Sequence, residues 1–416
     1  MKNQIIKICD VIIIIGLIIY SICATTTISG QSIGISLAFL GWIFRMIIKK
    51  EFEIKNCPFN KIIFSFFIAL FVSCLFSANI SQSLNKLILM IGQMLLYYLV
   101  ICGIKTKKVL KIILSCLIIS TTLQSIYVIY QYFIKTNIFW KQNMQNIEYL
   151  RCSGTLDCVN SLAIVLAMVL PLCLILSLES SFKKKQKAFL VISSLLIFTS
   201  LILTLSRGAW IGFFISFIFI IILKGRKFFI PIISYSIILV IISTIFFPKL
   251  IITKIKNTLD LSLCTNKTRL IFWQGALTML KTNPITGVGL DRFRKEYYNN
   301  TKYETLEGKE YGKIEPDYKR HFHAHNNFLN FGAESGLLGL GFFVLLLFVF
   351  LETSFSAWKN YPPSSWKKNL TLGLFSGIIV LIIHGLFDFN LKAESGHLFW
   401  FLIGIIVLIK ERIKEN

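Results

Sequence analysis

The sequence predicts an all-α, polytopic integral membrane protein, with about twelve transmembrane helices and one large outer (periplasmic) loop. Three observations lead there. The chain of 416 residues is 55% hydrophobic with a mean hydropathy of +0.71, too apolar for a soluble globule. Its apolar residues fall in blocks of roughly 17–25, the length that crosses a hydrocarbon core about 30 Å thick. A core helix of a soluble protein would be shorter and would keep a polar face. Finally, Lys and Arg gather between the blocks rather than inside them.

The blocks cover 11–29, 32–48, 61–77, 84–104, 110–134, 156–178, 188–205, 209–223, 228–247, 329–352, 370–389 and 396–411. The first follows "MKNQIIKICD" without a small-x-small cleavage pattern, so no cleavable signal peptide is expected. The segments "KKEFEIK", "KTKK", "FKKKQK", "KGRK" and "SSWKK", with both termini, hold most of the basic residues outside the large loop. The alternate short loops hold few, among them Lys135, Lys141, Arg151 and Arg207. By the positive-inside rule both termini are cytoplasmic, which an even number of spans also requires. The formal charge of +24 therefore reads as topogenic, and no nucleic-acid partner is expected.

Four regions follow: N-terminal spans over 1–155, middle spans over 156–247, the outer loop over 248–328 and C-terminal spans over 329–416. A loop of about 80 residues far exceeds an ordinary connection and is expected to be functional. It mixes 14 Lys/Arg with 8 Asp/Glu. Within it "RLIFWQGALTML" has helical periodicity, with Leu270, Trp273, Leu277 and Leu280 on one side. Pro284 ends that helix, and Gly287 and Gly289 permit a tight turn. Most of the ten cysteines, such as Cys23, Cys74 and Cys173, lie in apolar blocks and act as small apolar residues. No C-x-x-C spacing occurs, so no thiolate metal site is expected.

Ionisable groups are almost absent from mid-span positions and collect at the outer ends, with His384, Asp388, Lys392, Glu394 and His397 flanking the last outer turn. A coupled transporter would hold such groups within the bilayer, so the pattern favours chemistry at the outer interface. Arg207, in "TLSRGAW", sits in a connection of a few residues between two spans. It reads either as an arginine snorkelling at a span end or as a ligand for an anion. Arg269 opens the loop helix and is either a solvated helix residue or a second such ligand. A pair of guanidinium forks suits phosphate or pyrophosphate.

His321, His323 and His325 alternate in "HFHAHNNF", so an extended chain would put them on one face. That spacing is compatible with a metal, but no Glu or Cys follows in a zinc pattern, and no metal or cofactor is expected. A neutral imidazole there suits a general base, or a group that orients a hydroxyl. Glu334 lies nine residues beyond His325, inside the following span, where an ionisable group is a functional candidate.

At these residues the chain resembles the O-antigen ligase and polymerase family. His325 followed by Asn326, nine residues, then "GLLG" at 336–339 resembles that family's signature. "TLSRGAW" is similar to its Ser-Arg-Gly segment, and "TRLIFWQGALTMLKTNPITGVGLDRF" to its Arg-x-x-x-Trp and Pro-x-x-Gly-x-Gly segment. "RCSGTLDCVNSLAIVLAMVLPL" looks like the stretch before its middle spans, so the collinear likeness covers roughly 150–340. The resemblance implies a metal-independent, inverting glycosyl transfer. The donor would be a glycan on undecaprenyl pyrophosphate and the acceptor a hydroxyl on lipid A–core or a similar molecule, at the outer face of the inner membrane. It implies His325, Arg207 and Arg269 as catalytic residues, with Arg151, Asn326, Trp273, Glu334 and His323 binding substrate. The same family contains polysaccharide polymerases and members labelled as bicarbonate transporters, and these stand as the alternatives.

Overall fold

In a computed structural model of the chain, residues 2–139, 142–143, 151–225, 264–299, 309, 323–363, 365–391 and 393–413 are described. The fold is all-α. The first eight helices are α1 (Lys2–Cys23), α2 (Ile28–Lys49), α3 (Asn60–Leu75), α4 (Ile80–Gly103), α5 (Lys107–Ile134), α6 (Val159–Ser177), α7 (Lys184–Leu203) and α8 (Arg207–Lys224). After them come α9 (Cys264–Thr282), α10 (Phe293–Asn299), α11 (Asn327–Asn360), α12 (Trp366–His384) and α13 (Ala393–Glu411). The strands β1 (Thr136–Asn137) and β2 (Gln142–Asn143) form one short antiparallel pair after α5.

Nine of the described helices are long and apolar enough to cross a membrane, which defines a multi-pass membrane protein. Eleven of the expected blocks coincide with helices, and the block at 228–247 lies outside the described residues. Twelve spans are expected; among the described residues nine helices have the length and hydropathy of a span, and α3 is apolar but only 16 residues long. Helix ends run a few residues past the apolar blocks where polar caps hold them. Asn79 accepts from the Gln82 N–H at the start of α4, and Thr106 from the Val109 N–H at the start of α5.

Burial follows sequence. α6 is apolar all round, and every residue from Ser161 to Leu176 is buried; a helix without a polar face has to be surrounded. α7, α8 and α12 pack on it, while α13 packs on α4 and α11 on α3. On the periphery large apolar side chains face outward, as on α2 and α3, where Ile47 and Ile68 are more than half exposed. At one end of the bundle Arg45 is buried by pairing with Asp10 at 2.6 Å and Glu53 at 2.5 Å, with the Cys102 carbonyl at 2.9 Å. That cluster joins α1, α2 and α4.

Two expectations change. The block at 329–352 reads as one continuous span, but α11 breaks at Gly336, which has φ 63° and ψ −168°. This conformation is open essentially only to glycine. The segment at 284–289 docks into the break. Leu337 and Leu338 donate to the carbonyls of Pro284 and Ile285 at 2.7 and 3.3 Å, and Val288 and Gly289 donate to those of Ala333 and Glu334 at 2.9 Å each. A Cβ on Gly336 would collide with the Ile285 carbonyl, and one on Gly287 with the Glu334 backbone. The second change concerns α9. Its buried stripe is Ile271, Phe272, Ala276 and Met279, whereas Leu270 and Leu277 look outward. The helix carries two apolar stripes, and packing against α10 and α11 selects the aromatic one.

Gly336→Ala should therefore lower stability by about 1–3 kcal/mol from backbone conformation alone, with the collision adding to it. Thermal unfolding of the purified variant in detergent would measure this. An unchanged midpoint would show that the docked segment is not held by the break.

Candidate functional site

The polar groups meet where α6 and α8 begin, α7 ends, α12 ends and α11 begins. Arg207 is the first residue of α8, following Leu205 at φ 54°. The left-handed residue turns the chain sharply between α7 and α8, so the arginine is pinned at the helix end. Its guanidinium donates to the Asn266 side chain of α9 at 2.6 Å. Arg151 lies across from it, donating to the Thr204 carbonyl at 3.1 Å and to the Asn160 side chain of α6 at 3.0 Å. Arg269, on α9, is within electrostatic reach of both arginines and of Asp388.

Three guanidinium groups thus share one pocket of charge with a single carboxylate, Asp388, among the described residues around them. Burial pulls Arg269 below the ordinary arginine value, and the Asp388 charge partly restores it. Burial also lowers Arg151, and Arg269 lowers it further. Arginine stays protonated despite such shifts, so three positive charges face that one carboxylate among the described residues, an arrangement suited to an anion.

His325 has φ 52°, a left-handed conformation, so the extended alternation expected for this stretch is broken there. His321 lies outside the described residues. His323 and His325 still meet, with ring centroids 4.4 Å apart. Three bonds to the last outer turn hold this reversal. Asn327 donates its N–H to the Gly385 carbonyl at 2.7 Å, and the Asn326 side-chain amide donates to that of Leu386 at 3.0 Å. The Asn327 side-chain amide donates to Asn390 at 2.6 Å. Asn326 also caps α11, accepting from the Phe328 and Leu329 N–H groups at 2.9 and 3.0 Å.

This stapling places Asp388 beside His325, with its carboxylate 2.8 Å from Nδ1. The same carboxylate accepts from the Asn160 side chain at 2.7 Å and from the Phe389 N–H at 2.9 Å. A carboxylate acceptor at that distance calls for the proton on His325 Nδ1, which makes Nε2 the unprotonated nitrogen of the ring. Phe272 of α9 stacks on the imidazole, with centroids 6.3 Å apart and planes 15° apart.

His323, His325 and Asp388 hold ligand-type atoms within 4.8 Å of one another. Both Nδ1 atoms are engaged, however: that of His323 accepts the His325 N–H at 3.3 Å, and that of His325 faces Asp388. Three neighbouring guanidiniums further disfavour a cation. Glu334 does not reach this centre. Its buried carboxylate accepts from the Phe293 N–H at the start of α10 and from Asn330, both at 3.1 Å. Asn330 in turn accepts from the Ala324 N–H at 3.0 Å, so Glu334 braces the histidine segment from behind. Trp273 sits one turn from Arg269, and its indole nitrogen is buried with no hydrogen-bond partner among the described residues.

Arg151, Arg207, Arg269, His323, His325 and Asn326 are thus brought together. Asp388 and Asn160 join them, although neither stands among the expected site residues. Asp388 carried a signal, being one of the ionisable residues crowded at the last outer turn. Asn160 carried none beyond its place in the stretch at 151–172.

The fold and this site define a multi-pass helical membrane protein with an arginine-rich polar centre at one end of its bundle. Residues 192–344 match the family model described as O-antigen ligase. The matched stretch runs from α7 into α11 and contains Arg207, Arg269 and His325, so the similarity to that family falls on the part of the chain that builds the site. No curated protein matches the chain.

The cluster should bind inorganic pyrophosphate. Loss of one charge-assisted arginine contact costs about 1.5–3 kcal/mol, so Arg207→Ala and Arg269→Ala should each weaken binding roughly 10- to 100-fold. Titration calorimetry on the purified protein would test this. Equal affinity in wild type and both variants would place the anion elsewhere.

Proposed function

We propose that the protein transfers a glycan from an undecaprenyl-pyrophosphate carrier to an acceptor hydroxyl, lipid A–core or a similar molecule, at the outer face of the bacterial inner membrane. Both termini then lie in the cytoplasm, in keeping with the lysine-rich connections at the opposite end of the bundle. One observation carries this reading: a histidine oriented by a buried carboxylate shares a site with three arginines.

The chemistry follows from those groups. The acceptor oxygen attacks the anomeric carbon of the donor sugar while its proton passes to His325 Nε2. The bond between that carbon and the pyrophosphate oxygen breaks, and the oxygen keeps the electron pair. Attack from the face opposite the leaving group inverts the anomeric centre. Arg151, Arg207 and Arg269 stabilise the charge that grows on the departing pyrophosphate, the work a divalent metal does elsewhere. Asp388 steadies the imidazolium that forms, through Nδ1. No metal is required in this scheme.

His325→Ala should abolish glycan transfer while the protein still reaches the membrane and keeps its unfolding temperature. Persisting transfer in both His325→Ala and Arg207→Ala would overturn the proposal, as would anion flux in liposomes free of any glycan donor. In a deletion strain, long carrier-linked chains should accumulate. Single repeat units instead would identify a polymerase of the same family.

As a positioning residue, Asp388 should affect turnover more than donor affinity. Asp388→Asn should cut kcat by about 10²–10⁴-fold with a smaller change in the donor KM. Partial rescue by Asp388→Glu is expected, and an unchanged kcat in Asp388→Asn would remove the carboxylate from the mechanism.

A further inference from the structure

The opposite end of the same helices holds a second feature that the transfer chemistry does not use. There the starts of α5, α7 and α12 and the end of α6 enclose a cavity of ≈ 640 Å³. Its floor is apolar and buried, formed by Leu110, Leu114, Leu176, Leu190 and Leu370. Its flanks are Ile119 and Phe189, which are 46% and 41% exposed and face outward from the bundle. The cleft therefore opens sideways between spanning helices, where acyl chains rather than water are the available filling.

Its mouth has the opposite character. Lys107, Lys111 and Lys185 line it together with Trp366. None of these three lysines has a carboxylate partner among the described residues. The Lys107 ammonium lies 4.5 Å above the Trp366 ring, and the indole nitrogen of Trp366 is buried with no hydrogen-bond partner among the described residues. Lys107 opens α5 and Lys185 lies in the first turn of α7, so two helix N-termini add positive potential. The one acid in the lining, Glu179, is already engaged. It accepts from Asn369 at 2.6 Å and from the Ser181 hydroxyl at 3.1 Å.

We propose that this cavity is a binding site for an anionic diacyl phospholipid of the leaflet opposite the arginine centre. One acyl chain lies along the leucine floor, and the headgroup phosphate sits among the three ammonium groups. Tryptophan at a membrane interface and basic pockets between spanning helices are the usual means of holding such a headgroup. Charge decides the lipid class. A zwitterionic lipid would bring its own cation into a site with three lysines, whereas phosphatidylglycerol brings none. The inference is independent of the transfer reaction and requires only that the chain spans a bilayer.

Native mass spectrometry of the full-length protein, released from detergent with added palmitoyl-oleoyl phosphatidylglycerol or phosphatidylcholine of the same chains, tests it. Wild type should retain one phosphatidylglycerol at least tenfold more tightly than phosphatidylcholine. Each lysine is expected to contribute about fivefold, so the Lys107→Gln, Lys111→Gln, Lys185→Gln variant should lose on the order of a hundredfold. Ile119→Trp, a change at an exposed flank, should block both lipids without altering the unfolding temperature. Equal retention of the two lipids by wild type would overturn the proposal. So would a phosphatidylglycerol preference that survives in both variants, or displacement of phosphatidylglycerol by equimolar undecaprenyl phosphate.

Discussion

Backbone groups inside a bilayer have no water to bond, so a break in a spanning helix must be filled by protein. α11 breaks at Gly336, and the four bonds that the interruption leaves open are completed by residues 284–289 of the outer loop. Much else follows from that requirement. Both sides of the junction are anchored as well: Ser73 of α3 donates to the Glu334 carbonyl beside the break at 2.8 Å, and Ser83 of α4 to the Leu290 carbonyl just after the docked segment at 2.9 Å. It ends α9 on one side and begins α10 on the other. Fixed in this way, α9 presents Arg269 to the arginines of the bundle and Phe272 to His325. A loop that would otherwise be a tether becomes one wall of the site.

The second organising element is the last outer turn. Gly385, Leu386 and Asn390 receive bonds from Asn326 and Asn327, and the turn returns Asp388 to His325. Asn160 closes a chain of contacts from Arg151 to Asp388. The carboxylate is thus shared, accepting from the histidine and from an amide that also touches an arginine. A site assembled from α6, α7, α8, α9, α11 and the turn after α12 cannot shift one group without disturbing others. Such sharing suits a reaction in which proton acceptance at one end accompanies charge release at the other.

How much of this was legible beforehand depended on the range of the interaction. Periodicity and block length report local structure, and they placed eleven helices with errors of only a few residues at most ends. The motif around His325 and the arginines at 207 and 269 were visible because each is a local pattern. Asp388 was visible only as one of several polar residues at a turn, for nothing local ties it to a histidine 63 positions earlier. The break at Gly336 was hidden in a block that reads as one continuous span, because a glycine in "GLLG" has the same letters in either conformation. The two leucine positions on α9 pointed to a stripe that proved not to be the buried one. Periodicity reveals that a helix has apolar faces, but the partner decides which face is covered.

By itself the sequence determined that this chain is a helical membrane protein with a basic end and an opposite end where its other ionisable groups collect. Hydrophobic length and charge asymmetry act residue by residue, and no contact between distant segments is needed to read them. Only the tertiary structure decided that Arg151, Arg207 and Arg269 share one field, that His325 is oriented by Asp388, and that Glu334 is a brace rather than a member of the centre. Those facts depend on hydrogen bonds and burial between segments far apart in the chain. Their geometry is set when the outer loop fills the broken helix and the last turn folds back against it.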